Sequence, residues 1–204
     1  GYQFKRLDIF NLFLQRTKGE YEFASLADFE NRIAASIDYQ NANSLDPNDA
    51  AASFVRDEHA IYVHDEWAFD ENFTFDIGLR YEMLASDDKP LFNDQMAART
   101  GGLDNSESLD GIGILLPRLA FKWDGFDDLV IRGGVGRFSG GQPTVWVSNS
   151  YSNPGVGIAR ESGEDFTNVS LTQVPQELRD AVANATAYGS TNFTDPNFKL
   201  SGAV

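Results

Sequence analysis

The chain has 204 residues, of which 23% are charged and 42% hydrophobic, with a formal net charge of −15 and no cysteine. Such an acidic chain repels the phosphates of nucleic acid, and the absence of cysteine excludes a disulfide scaffold, a thiolate metal site and a cysteine nucleophile. The sequence contains no run of about 18 apolar residues, so it predicts no transmembrane helix. Strands that cross a membrane alternate between apolar and polar residues and would not produce such a run.

The first predicted elements are a strand near residues 2–14 and a long polar connection at 15–52. Within that connection, residues 25–34 carry a helix-start signature, because Ser25 can cap a helix and Asp28 follows three positions later. Leu26, Phe29 and Ile33 would share one side of this helix. We predict a short helix that is docked within an external loop.

A hairpin is predicted next, with strands near 59–69 and 73–84 joined by the short polar segment 70–72. The second strand alternates without a fault from Phe73 to Met83, over about the length that a tilted strand needs to cross a bilayer. One of its faces is wholly apolar and the other is polar. A soluble sandwich would bury the apolar face as its core, whereas a membrane barrel would turn it to lipid.

A second hairpin repeats this design, with strands near 114–124 and 129–139 and a tight turn at 125–128. Glycines in the return strand suit a strongly curved wall. A helix is predicted at 175–186, with Pro175 in its first turn and with Leu178 and Val182 one turn apart.

The connections are unequal in length, and this separates a barrel from a sandwich. The hairpin turns span a few residues, while the connections 15–52, 85–113 and 140–204 are long and rich in Asn, Asp, Ser and Gly. Short turns on one side and long loops on the other are typical of outer-membrane barrels. We therefore predict an all-β fold in which residues 1–204 form part of one antiparallel transmembrane barrel with long outer loops.

The polar faces of these strands hold the first group of candidate site residues. In a barrel they would face the lumen, as a charge ladder or as contacts to a solute: Asp76, Arg80, Glu82, Arg118, Lys122 and Arg132. Trp146, Asn149 and Tyr151 lie in an outer loop, where they could touch a ligand or serve loop packing.

Metal and nucleotide sites are weakly indicated. His59 and His64 are five positions apart on one strand and would point to opposite faces, so we predict no zinc site and no other cofactor. Acidic loop clusters at 46–49, 87–88 and 104–110 could hold Ca²⁺, but solvated loops explain them better. The glycines at 134–140 miss the dinucleotide spacing, and Pro143 with 145–147 predicts an extended segment instead of a helix. No catalytic constellation appears, so we do not expect an enzyme.

Several stretches resemble the Oar-like group of TonB-dependent outer-membrane transporters. They are residues 6–13 with 25–30, 62–67 with 75–81, 117–123 with 131–141, and 145–153. The resemblance covers most of residues 1–153. It implies a large barrel plugged by an N-terminal domain, located in a Gram-negative outer membrane and energised by TonB. Its partners would be the plug, the rest of the barrel, the TonB complex and outer-membrane lipid.

The chain departs from that family in extent. No plug domain, TonB-contacting segment or terminal aromatic strand can be identified, so we expect an internal segment of the barrel wall. Four to six strands cannot enclose a plug. A secreted or surface-attached sandwich that binds glycan or protein remains the alternative, and the sequence does not name a solute.

Overall fold

The computed structural model describes residues 1–140, 144–186 and 190–204. Its strands are β1 (Tyr2–Asn11), β2 (Glu20–Glu22), β3 (Ala34–Ala42), β4 (Ala52–Ala68), β5 (Phe73–Ala85), β6 (Gly113–Phe126), β7 (Leu129–Gly136), β8 (Phe138–Ser139), β9 (Ile158–Phe166) and β10 (Gly202–Ala203). Its helices are α1 (Leu26–Glu30), α2 (Asp94–Thr100), α3 (Thr144–Ser152) and α4 (Gln176–Asn184), with a 3₁₀ turn at Pro47–Ala50. Within these ranges, no helix has the length and apolarity to span a bilayer.

The main sheet has five strands in the order β1-β4-β5-β6-β7, and every neighbouring pair is antiparallel. Both predicted hairpins are present as β4–β5 and β6–β7. The alternation read from the sequence continues across strands, since Tyr81 pairs with Ile61 on one side and with Leu115 on the other; Asp65, opposite Ile77, is the exception. The predicted all-β partial barrel is therefore confirmed as the fold class.

β4 begins at Ala52, well before the predicted start near residue 59, and it has 17 residues. Alternation of apolar and polar residues does not predict the first half of β4, because Arg56, Asp57 and Glu58 interrupt the apolar residues. Pairing of Ala52 with Asn11 of β1 makes this half a strand. β1 itself ends at Asn11, short of the predicted residue 14.

The apolar face of the sheet is exposed along its whole width. Ile61 and Val63 of β4, Ile77 and Leu79 of β5, and Val135 of β7 are 44–65% exposed. A sandwich would bury these side chains against a second sheet, and the structure places no second layer over them within the described residues. Their exposure fits contact with lipid, which is the environment of the outer face of a membrane barrel.

Aromatic side chains gather on this face at the end with the short turns. Trp67 packs edge-on against Phe69 at 5.6 Å, and Trp123 packs against Phe126 at 5.0 Å. Phe73 stacks on Phe121 across the strand pair, with ring centres 5.8 Å apart. Aromatic rings in this position form the girdle that marks a membrane–water interface.

The outer connections form a second, smaller sheet, which corrects the prediction of loops at 15–52 and 140–204. Its order is β2-β3-β9, so β3 from the first connection pairs with β9 from the last. Periodicity in one segment cannot reveal a partner more than 100 positions away. We call these outer connections, with the small sheet, the outer cap.

α4 gives the outer cap its core. It begins at Gln176 directly after Pro175, close to the predicted start, and buries Leu178 and Val182 as expected. These side chains pack with Ile37 and Tyr39 of β3 in one apolar cluster. Because Leu178 and Ile37 come from different connections, burial of this cluster stabilises the pairing of β3 with β9.

α1 differs from its prediction in length and in docking. Ser25 caps it as expected, since its hydroxyl accepts from the Asp28 amide at 3.1 Å. The helix ends after five residues and buries none of them, and Leu26 is 73% exposed. The predicted docking is therefore wrong. Phe29 packs against the edge of the Phe23 ring at 5.2 Å.

The extended segment predicted after Pro143 is also wrong, because residues 144–152 form α3; Pro143 itself lies outside the described residues. Val145, Trp146 and Val147 favour a strand, but packing against the main sheet outweighs that preference. Buried serines bond back to the helix carbonyls, as Ser148 does to Thr144 at 2.9 Å and Ser152 to Ser148 at 3.1 Å.

Candidate functional site

The six charged residues predicted to face a lumen share the polar face of the main sheet. Registers place Asp76, Arg80 and Glu82 of β5 on the same side as Arg118 and Lys122 of β6 and Arg132 of β7. Side chains alternate strictly along each strand, so this face is opposite to the exposed apolar one.

The sheet curls toward its polar face. One cavity of about 180 Å³ is lined by Gln3 and Lys5 of β1, by Arg80 and Glu82 of β5, and by Ser139 of β8. β8 pairs with β10 outside the main sheet, but it follows directly after β7, the edge strand opposite β1. Because Ser139 of β8 lines the same cavity as β1, the chain curls over the polar face from the β7 edge. The polar face is thus concave, as the inner wall of a barrel must be.

The charges on β1, β4 and β5 neutralise one another. Arg80 donates to Glu82 at 2.7 Å and to the Gln3 amide oxygen at 3.0 Å, and Lys5 lies 3.5 Å from Glu58. His64 lies 3.4 Å from Asp76 across the hairpin. This part of the wall is a ladder of paired charges.

His59 lies on the other face, as predicted for a histidine five positions from His64. Its Nδ1 is 2.8 Å from the Tyr2 hydroxyl, and its ring packs 5.2 Å from Phe4. Within the described ranges, no three His, Asp or Glu side chains are arranged to hold a metal ion.

The outer end of the polar face is covered by the outer cap. Phe54, Leu84 and Leu116 of the sheet form one buried cluster with Val147 of α3 and with Leu200. The wall is therefore apolar where the outer cap rests on it and charged further in. The outer cap therefore covers the outer end of this part of the concave face.

Arg56 is a buried charge at this contact. The sequence did not single out Arg56, because this residue lies before the predicted start of β4 near residue 59. Its side chain is 2% exposed. Its Nη2 donates to Glu58 at 3.0 Å and to the Thr144 hydroxyl of α3 at 3.4 Å. The parity of β4 is the signal that would have found it, since Arg56 continues the row of Glu58, Ala60 and Tyr62.

The candidate ligand residues in α3 have different surroundings. Trp146 is 77% exposed, and Asn149, one turn further along, is half-buried. Tyr151 is a packing residue instead, because its ring stacks on Phe54 at 4.2 Å and its hydroxyl donates to the Asp88 carbonyl at 2.8 Å. Burial raises the pKa of Tyr151 to about 12. Of the three residues, Trp146 is the one placed to meet a molecule from outside.

The central connection is tied into the outer cap by buried amides. The Asn93 side chain donates to the Pro154 carbonyl and to the Thr191 hydroxyl, both at 3.1 Å. The Asn93 backbone amide donates to the Asn105 side chain at 2.7 Å. All three outer connections are therefore parts of one folded unit.

Carboxylates in the acidic loop clusters considered for Ca²⁺ accept hydrogen bonds from backbone amides. Asp88 accepts from the Val55 amide at 2.6 Å, Asp110 from the Ser86 amide at 3.0 Å, and Asp46 from the Asn48 amide at 2.9 Å. Hydrogen bonds from the Ser106 hydroxyl and amide lower the pKa of Asp104. These carboxylates shape the loops.

Comparison with known protein families gives a match over almost the whole chain. The family model for the outer membrane beta barrel domain matches residues 1–203. No curated protein and no solved structure matches the chain. The match agrees with the antiparallel sheet, its exposed apolar face and its aromatic girdle. The chain belongs to the outer membrane beta barrel domain family and is located in the outer membrane.

Proposed function

We propose that this chain forms part of the wall and the outer cap of a TonB-dependent transporter of the Oar-like group. In this role it binds an external solute and lets it pass through a plugged barrel. The proposal is supported by the resemblance to that group of residues 6–13 with 25–30, 62–67 with 75–81, 117–123 with 131–141, and 145–153. It includes neither a catalytic role nor a cofactor.

The observation that carries the proposal is the cover that α3 forms over the outer end of this part of the wall. α3 covers the outer end of the concave face through Val147, and Arg56 of the wall reaches Thr144 at its start. A pore for free diffusion needs an open mouth. A wall whose outer end is covered by a folded cap suits uptake that depends on a gating step.

The edges of the main sheet indicate the partners. Within the described residues β1 pairs only with β4, and β7 pairs only with β6. Lipid offers no hydrogen bonds to strand edges, and five strands are too few to surround a plug. The proposed partners are further strands of the same barrel, a plug within it, the TonB complex and outer-membrane lipid.

A cysteine at Ala120 tests the proposal without knowledge of the solute. The chain contains no cysteine, and Ala120 lies on the polar face between Asp76 and Gly134. Cells that carry the full-length protein with Ala120→Cys would be treated from outside with a membrane-impermeant maleimide. We expect labelling when TonB is present and the cells are energised, and little labelling after an uncoupler or loss of TonB.

Two further cysteines act as controls. Gln173→Cys in the exposed outer cap should label under every condition, and Leu79→Cys on the lipid face should react only with a lipid-soluble reagent. Labelling of Ala120→Cys that is equal with and without TonB would contradict gated transport. It would instead indicate a permanently open pore.

A further inference from the structure

Three cations lie together on the part of the concave wall that the paired charges leave out. Lys122 of β6 is directly opposite Arg132 of β7. Arg118 lies on the same face of β6, about 13 Å from Lys122 at about 3.3 Å per residue. We call Arg118, Lys122 and Arg132 the basic shelf.

The basic shelf is only partly neutralised. Lys122 lies 2.6 Å from Asp124, and the Arg118 guanidinium rests on the Phe138 ring at 4.8 Å, a contact that leaves its charge in place. Within residues 1–140, 144–186 and 190–204, Arg132 has no ion pair. Like charges at directly opposed positions destabilise a strand pair, and Asp124 balances only Lys122, so an anion near Arg132 would stabilise this pair.

The two positions that these cations enclose, Ala120 and Gly134, carry at most a methyl group. Asp76 of β5 follows Ala120 in the same row, Gly78 and Gly136 flank Arg118, and the Phe138 ring lies over Gly136. A Cβ at Gly134 would lie 2.9 Å from the Leu119 carbonyl, so packing requires that glycine. A Cβ at Gly78 would meet nothing nearer than 3.6 Å, so packing does not explain that one. The cations thus border a strip of wall with small side chains, and the Asp76 carboxylate lies at its far side on β5.

We propose that the basic shelf binds an anionic group, a carboxylate or a phosphate, within the lumen. Guanidinium groups match both anions with paired hydrogen bonds, and Lys122 adds a point charge. The group can belong to a solute in transit or to another part of the protein that fills the lumen. The solute source rests on the proposed transport function, whereas the internal source requires only the barrel.

The test uses the full-length protein in detergent with inorganic pyrophosphate as the probe, followed by calorimetry at low salt. We expect wild type to bind pyrophosphate and Arg132→Gln to weaken binding about tenfold, the loss typical of one charged hydrogen bond. Arg132→Lys keeps the charge but loses the paired hydrogen bonds, so its affinity should lie between those of wild type and Arg132→Gln. Arg179→Gln removes the same charge from α4, outside the lumen, and should bind as wild type does.

Thermal unfolding of the same variants separates the two sources. If an internal carboxylate occupies the basic shelf, pyrophosphate will not bind, but Arg132→Gln will lower the midpoint at low salt and not at about 1 M salt, where charges are screened. Identical behaviour of Arg132→Gln and Arg179→Gln in both measurements overturns the proposal. Neither measurement needs TonB, so a failure of gated labelling at Ala120→Cys would count against the transport function alone.

Discussion

The substitution Ile77→Arg measures how deep the apolar face lies in lipid. Ile77 is four positions from Phe73 and four from Tyr81, which is about 14 Å along the strand in each direction. With a tilt of about 40°, each distance corresponds to about 10 Å of depth, so Ile77 lies near the bilayer midplane. An arginine there costs about 2–4 kcal/mol of the free energy of unfolding.

The next residue supplies the control. Gly78→Arg puts the same side chain on the concave face, where water is available and a new Cβ makes only ordinary contacts. Repulsion from Arg118 in a wet lumen is about 1 kcal/mol at most. Tyr81→Arg, near the interface, should cost about 0–1 kcal/mol.

Guanidinium titrations of the full-length protein in lipid vesicles, followed by tryptophan fluorescence, would give these free energies. The order of cost should be Ile77→Arg above Gly78→Arg and Tyr81→Arg. Equal costs at residues 77 and 78, or a greater cost at 78, would refute the assignment of the two faces.

Two other substitutions probe the outer cap. Leu178→Ala should destabilise the outer cap by about 2–5 kcal/mol. Amide hydrogen exchange should become faster in β3 and β9 and stay slow in β5. Equal acceleration in β5 would contradict an independent core in the outer cap. Tyr151→Phe removes the bond to the Asp88 carbonyl and should cost about 1 kcal/mol at neutral pH. Because the pKa is raised to about 12 from 10.0, the neutral phenol stabilises the fold fully below pH 10 and loses this effect as pH rises through 12. The difference between wild type and Tyr151→Phe should therefore shrink across that window in denaturant titrations, and a constant difference would contradict the burial of the hydroxyl.

The features that follow from local periodicity were predictable from the sequence. The alternation from Phe73 to Met83 gave β5 and its two faces, and the short turns gave both hairpins. Pro175 with Leu178 and Val182 gave α4. Each signal depends on residues within about a dozen positions of one another, where backbone geometry alone relates side chains to a face.

The features that depend on distant partners were not predictable. β3 has no strong alternation, and it is a strand because β9 pairs with it from the far end of the chain. α3 is a helix because Val147 meets Phe54 and Leu84, against the preference of its own residues. Arg56 escaped notice for the same reason, since its burial depends on α3. The covered mouth of the wall is a product of these long-range contacts.

Charge is distributed unevenly between the outer cap and the basic shelf, and this constrains any solute. Residues 12–51, 86–112 and 140–201 hold 19 acidic and 8 basic residues, which is −11 of the net charge of −15. A free multivalent anion is repelled by such a surface before it reaches the cations at Arg118, Lys122 and Arg132. An anionic solute that arrives from outside must therefore carry compensating cationic groups or a bound cation. Added salt should speed the approach of free pyrophosphate and weaken its final binding, because screening reduces the repulsion at the outer cap and the attraction at the basic shelf alike.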